Sequence, residues 1–157
     1  MEESVYSPVL DKDLQVGNKV VVYEVFEKNF KKIAEWDFSA VKPWVITVGQ
    51  MDEDEPLEIF MGCYYETLYY NKADTRPYFF KYNDGVLVKQ WTGSYLNSLA
   101  FHHAEFVDHD SDGFDELRVY ERVKEKGVYI DRVNYYGIRG FYPYLKEYKN
   151  FTDFINQ

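Results

Sequence analysis

Shifting the chain by 58 residues lays one acidic turn on another. Asp52, Asp54 and Glu58 fall on Asp110, Asp112 and Glu116. The flanks match as well. Trp44-Val45-Ile46-Thr47-Val48 leads into the first turn and Ile59-Phe60-Met61-Gly62 leads out. His102-His103-Ala104-Glu105-Phe106-Val107 and Leu117-Arg118-Val119-Tyr120 do the same for the second. These runs are short and rich in β-branched and aromatic residues, the signature of strands. A chain that repeats strand, acidic turn, strand must solve one packing problem twice, which narrows its folds to stacked or arrayed units.

Hairpins follow the acidic turns. Pro77–Tyr82 and Val86–Trp91 flank Asn83-Asp84-Gly85, and an Asp-Gly pair tolerates the positive φ that a tight hairpin needs. Val128–Tyr136 and Phe141–Tyr148 flank Gly137–Gly140. A third hairpin, Lys19–Phe26 and Phe30–Trp36 around Glu27-Lys28-Asn29, comes before the first acidic turn. Two hairpins end in tryptophan, Trp36 and Trp91, which predicts the same packing task for both rings. No long segment places apolar residues at i, i+3, i+4 and i+7. The 16 Tyr, 12 Phe and 3 Trp favour strands, whose pleated surface large rings cover well.

The expected fold class is therefore all-β. Residues 1–157 form one repeat domain with units near 1–41, 42–99 and 100–150. Four strands per period is the pattern of propeller blades. Two units are clear. The N-terminal one is degenerate: Tyr6–Leu10 is its first strand, Asp13–Gly17 resembles Glu58–Gly62, and its acidic turn is mostly missing. So few blades do not close a ring, and open sheet edges invite pairing. The chain is expected to belong to a longer propeller or to assemble as a homo-oligomer. Residues 63–76, with Tyr64, Tyr65, Tyr69 and Tyr70, read as a surface insertion.

The second acidic turn carries the sharpest chemistry. Asp108, Asp110 and Asp112 occupy positions one, three and five, an alternation that aims several carboxylates at one point. Gly113 at position six suits a sharp turn. The Phe114 carbonyl at position seven and Glu116 at position nine complete an oxygen-only set, which suits Ca2+ with its six to eight oxygen ligands. Converging carboxylates repel unless a cation or water separates them. An EF-hand needs Glu at position twelve and flanking helices, whereas Val119 stands there between strand-like flanks. Magnesium keeps its waters, and zinc prefers nitrogen and sulfur. His109 is expected to point away from the ion and Asp115 to face solvent. The other reading of this stretch is an Asp-rich turn without metal. The first turn is weaker, with Gln50 at position one and Glu55 at position six; Asp52, Asp54 and Glu58 remain as a second, poorer site.

Asp108–Leu117, with its degraded echo at Gln50–Ile59, resembles the FG-GAP/VCBS repeats, whose pattern is D-x-D-x-D-G-x-x-[DE]-[LI] between strands. The likeness covers roughly residues 19–148. It implies blades like those of the integrin α-subunit propeller, with calcium held by the loop side chains and the Phe114 carbonyl.

The formal charge of -9 argues against nucleic acid, whose binding rests on cationic side chains. No run approaches the ~20 apolar residues of a membrane span, so no membrane insertion is expected. MEESVYSP lacks the features of a signal peptide. The chain is expected to be cytoplasmic if complete, and extracellular or at the cell surface if a fragment of a longer protein. Cys63 has no second cysteine to pair with and reads as a small core residue. The leading function is a calcium-binding scaffold for a protein or carbohydrate ligand, with no catalytic residues. The alternative is a metal-dependent hydrolase or lyase acting on polysaccharide, in which His102 or His103 would work with a carboxylate. Strand alternation is expected to put those two histidines on opposite faces.

Overall fold

A computed structural model describes residues 15–69, 71, 73–96 and 100–155. Ten strands form three antiparallel sheets, none closed into a barrel. β1 (Lys19–Phe26) and β2 (Asn29–Asp37) make a two-stranded sheet. β3 (Pro43–Gly49), β4 (Glu58–Tyr65), β5 (Asp74–Asn83) and β6 (Val86–Thr92) make a four-stranded meander. β7 (Ala100–Val107), β8 (Glu116–Glu125), β9 (Val128–Arg139) and β10 (Tyr142–Asn150) make a second one. A single helical turn, α1 (Phe151–Phe154), follows β10. The two full units expected from the repeat are thus two four-stranded antiparallel sheets. Of the degenerate unit, the hairpin is present as β1–β2. Tyr6–Leu10 lies outside the described residues, and Gln15–Gly17 are not in a strand.

The sheets stack face to face, and the middle one is buried on both sides. Its face toward β7–β10 carries Phe60 and Phe79, which pack with Phe101, Ala104, Leu117, Val119 and Tyr136. Its other face carries Ile59, Met61, Cys63 and Phe80, covered by Val20, Trp36 and Phe38. Strand alternation explains this division, since successive side chains of β4 point to opposite faces. It also explains why every residue from Glu58 to Cys63 is buried. Trp36 packs in one core and Trp91 in the other, the matched task expected of them. Burial pushes the Cys63 thiol up to about 12, so it serves as a small apolar core residue.

Two expectations about elements are corrected. Residues 63–76 are not all insertion. Cys63–Tyr65 end β4 and Asp74–Arg76 begin β5, because Thr75 and Arg76 are buried contacts between the sheets. The Thr75 hydroxyl accepts a hydrogen bond from the Phe101 amide at 3.3 Å, and Arg76 donates to the Ser94 carbonyl at 2.8 Å. Gly137 is not in a turn but inside β9, opposite Tyr144. A Cβ there would lie 2.9 Å from the Tyr144 ring, so the glycine makes room for that ring. The tight turn comes later, at Gly140 with φ 64°.

Candidate metal centre

Both acidic turns join the first two strands of a four-stranded sheet, β3 to β4 and β7 to β8, and their internal wiring is the same. Glu58 and Glu116 open β4 and β8 and are buried. Glu58 Oε2 accepts the Met51 amide at 2.8 Å, and Glu116 Oε2 accepts the His109 amide at 2.9 Å. The Asp54 amide donates to Asp52 Oδ1 at 2.9 Å, and the Asp112 amide donates to Asp110 Oδ1 at 3.3 Å. Each of these contacts maps onto its partner by the 58-residue shift. The repeat read from the sequence is therefore a repeat of hydrogen bonds as well as of residue types.

The turns differ where their residues differ. In the second, Asp108 Oδ2 accepts the Gly113 amide at 3.2 Å, and Gly113 has φ 93°, a conformation costly for any residue with a Cβ. Oxygens of Asp108, Asp110 and Glu116 lie within 4.8 Å of one another. Two oxygens bound to one calcium at ~2.4 Å lie at most about 4.8 Å apart, so this spacing fits such an ion. Asp112 stands at the rim, where its Oδ1 accepts the Phe114 amide at 2.9 Å. Asp112 is not among the three gathered side chains.

In the first turn Gln50 replaces the leading aspartate. Its amide nitrogen donates to the carbonyls of Asp52 at 2.5 Å and Asp54 at 2.8 Å, which fills the mouth of the turn with a donor. Asp54 is exposed. Among the described residues, Asp52, Asp54 and Glu58 do not come together as a trio of ligand atoms.

Sequence reading missed a lysine in each turn. Lys81 on β5 stands opposite Glu58 and lies 2.8 Å from its Oε1 and 3.2 Å from Asp52 Oδ1. Burial opposes the charge on Lys81, but the two carboxylates outweigh it and raise the pKa. In the second sheet the pairing of Leu117 with Tyr136, continued by one residue, sets Gly137 opposite Glu116. No cation can come from that position. Lys146 reaches in instead from the bulge between Leu145 and Glu147 on β10. Its Nζ lies 2.6 Å from Glu116 Oε1, 2.6 Å from Asp110 Oδ2 and 3.8 Å from Asp112 Oδ2. A hydrogen bond and charge from Lys146 hold the Asp110 carboxyl below its ordinary value, and Asp110 and Glu116 raise the lysine well above its own. These lysines lie 23 and 30 residues from the glutamates they meet, so no local motif announces them.

His109 turns away from the carboxylates as expected. Its ring stacks on Tyr135 at 3.8 Å, and Nε2 lies 3.2 Å from Glu147. Asp115 is half-buried and paired instead of simply facing solvent. Its Oδ2 accepts the Gln50 amide at 2.9 Å, and its own amide donates to the Gln50 carbonyl at 2.7 Å. This two-bond clasp ties the acidic turns together across the sheet interface.

His102 and His103 also depart from expectation. The strand bulges between Phe101 and His103, which breaks the alternation and brings both rings beside Tyr120, at 6.2 and 5.4 Å. Burial lowers the pKa of His102. One cavity, of about 250 Å³, lies between β1 and β3, and another, of about 420 Å³, lies beside Asn18, Glu35 and Asp37. Neither is lined by His102 or His103.

A buried polar trio was also missed. Glu121, Asn134 and Tyr136 sit inside the sheets, where Asn134 Nδ2 and the Tyr136 hydroxyl donate to Glu121 Oε2, the latter at 2.5 Å. The alternation Leu117, Val119, Glu121, Val123 would have revealed Glu121 as inward-facing. A buried carboxylate needs such donors, since leaving it unpaired costs several kcal/mol, on the order of the stability of a domain.

Searches of family models, of curated proteins and of solved structures return no match for the chain. Among the described residues, no helix is long and apolar enough to cross a membrane.

Proposed function

We propose that the chain is a calcium-stapled β-repeat scaffold of the FG-GAP/VCBS kind, which presents its sheets to a protein partner. The observation that carries this reading is the approach of Asp108, Asp110 and Glu116 oxygens to within 4.8 Å on a turn shaped by Gly113. Their donor set is oxygen alone, which suits a hard cation and not zinc. Asp112 and the Phe114 carbonyl are within the same turn and would add ligands around a bound ion. When bound, calcium would draw the three carboxylates together and hold the β7–β8 connection closed. Through the Asp115–Gln50 clasp, the same turn supports the interface between the two four-stranded sheets.

The choice of a protein partner over a carbohydrate rests on which apolar groups are exposed. Tyr23, Val25 and Phe30 line one face of the β1–β2 hairpin and are half or more exposed. Aliphatic and aromatic groups mixed in one patch suit a protein contact. A sugar platform would need several free rings. Of the described tyrosines in the 63–76 stretch, Tyr69 is exposed at 89 %, while Tyr64 and Tyr65 are half-buried and Tyr65 is tied to the Tyr78 hydroxyl at 2.7 Å; Tyr70 lies outside the described residues.

Calorimetric titration of the chelator-stripped chain tests the metal claim. It should show one calcium per chain, with no comparable binding of zinc. Absence of calcium binding at millimolar concentration refutes the proposal.

A further inference from the structure

Resting on that calcium reading, we infer that Lys146 is an internal competitor for the site: its ammonium occupies the ion's position, and calcium binds by displacing it. Lys146 Nζ is 2.6 Å from both Asp110 Oδ2 and Glu116 Oε1, two of the three oxygens that a metal would use. Calcium needs the same oxygens at ~2.3–2.6 Å. Ammonium and ion cannot both stand between them.

The surroundings of Lys146 make the exchange feasible. Its side chain is 33 % exposed and starts from a bulge, where strand pairing is interrupted. A lysine is a point charge on a flexible four-carbon stem, so it can leave for solvent without moving the backbone. Asp110 and Asp112 are themselves exposed, so an arriving ion meets carboxylates at the surface. Lys81 shows the opposite design. It is 12 % exposed, stands in register opposite a wholly buried Glu58, and has no comparable exit. The first turn is thus closed around its lysine, and the second holds its lysine in exchange with a metal. Free of calcium, Lys146 keeps the carboxylates together and the turn shaped. Bound to calcium, the chain releases a lysine on β10 to the surface.

Two measurements on the full chain test this. Calorimetric titration with calcium compares the wild type with Lys146→Met, Lys146→Gln and Lys146→Arg. Losing the competitor should tighten binding about tenfold in the Met and Gln variants, and Arg should stay near wild type. The wild-type chain supplies the second readout, free of any folding defect. Acetylation of lysines with limiting acetic anhydride, read by mass spectrometry, should run several-fold faster at Lys146 in saturating calcium than in chelator, with Lys81 unchanged. Calcium binding with equal or weaker affinity in the Met and Gln variants, or acetylation of Lys146 indifferent to calcium, overturns the inference and leaves the calcium reading intact. No calcium binding by any form overturns both.

Discussion

The turns at 50–58 and 108–116 share a frame and solve its charge problem differently. Both bury a glutamate that accepts a backbone amide, and both fold an aspartate back onto the amide two residues on. The first has no leading carboxylate, since the Gln50 side chain bonds backbone carbonyls there, and it is neutralised by Lys81 from the neighbouring strand. The second keeps aspartate at position one, turns on a glycine, and borrows a half-exposed lysine from the far strand. A repeat can therefore keep its architecture while only one of its two copies gathers carboxylates that could hold a metal. The ligand positions already rank the two copies, with Gln50 against Asp108 and Glu55 against Gly113. The position opposite the buried glutamate separates them too: lysine in one sheet, glycine in the other.

The largest expected effect tests the closed turn. Lys81→Met leaves Glu58 buried without its cation, and breaking such a pair costs about 3–5 kcal/mol. Solvent near Asp52 keeps the loss toward the lower end. Urea unfolding should show a loss of about 3 kcal/mol, and a change below about 1 kcal/mol would mean that Lys81 does not neutralise the turn. Gly113→Ala strains the open turn, since a positive φ costs a Cβ-bearing residue roughly 1–2 kcal/mol. There is free space around the position, so the strain is of backbone origin alone. The same unfolding assay should give that loss and a weaker calcium response. Gln50→Asp sharpens the comparison by making position one of the first turn like that of the second. It removes two hydrogen bonds, so about 1–2 kcal/mol should be lost, with no gain in calcium stoichiometry because Lys81 remains.

The smallest effect serves as a control away from both turns. Arg122 holds the Asp131 carboxyl below its ordinary 3.8 by hydrogen bonding and charge. A depressed folded-state pKa means that this contribution is present above about pH 4 and fades as the pH falls further. Asp131→Asn should soften the acid unfolding profile below pH 4 and leave the calcium response alone. An unaltered acid limb would show that the pair contributes nothing there.

The architecture was legible because its signals are local. Asp84-Gly85 marks a hairpin by backbone need, and the 58-residue echo marks the stacking unit. The apolar run Ile59–Gly62 located β4, although the strand runs on through Cys63–Tyr65. What escaped the sequence reading depends on contacts across strands. Lys81 and Lys146 meet their glutamates only after the sheets form, and one enters through a bulge that no periodicity announces. Asp115 looked solvent-facing within its own turn, and its partner lies 65 residues away in the other acidic turn. The two histidines were assigned to opposite faces by a rule that a single bulge suspends.

Calcium dependence should separate the two turns. Thermal unfolding of the wild type, Asp110→Ala and Asp52→Ala, each in chelator and in calcium at about 100 times its dissociation constant, tests it most directly. An ion bound only to the folded state adds about 2.7 kcal/mol under those conditions, or roughly 5–10 °C for a chain of this size. That rise is expected in the wild type and in Asp52→Ala, and its loss in Asp110→Ala. Equal responses from the two variants, or a wild type indifferent to calcium, would contradict it.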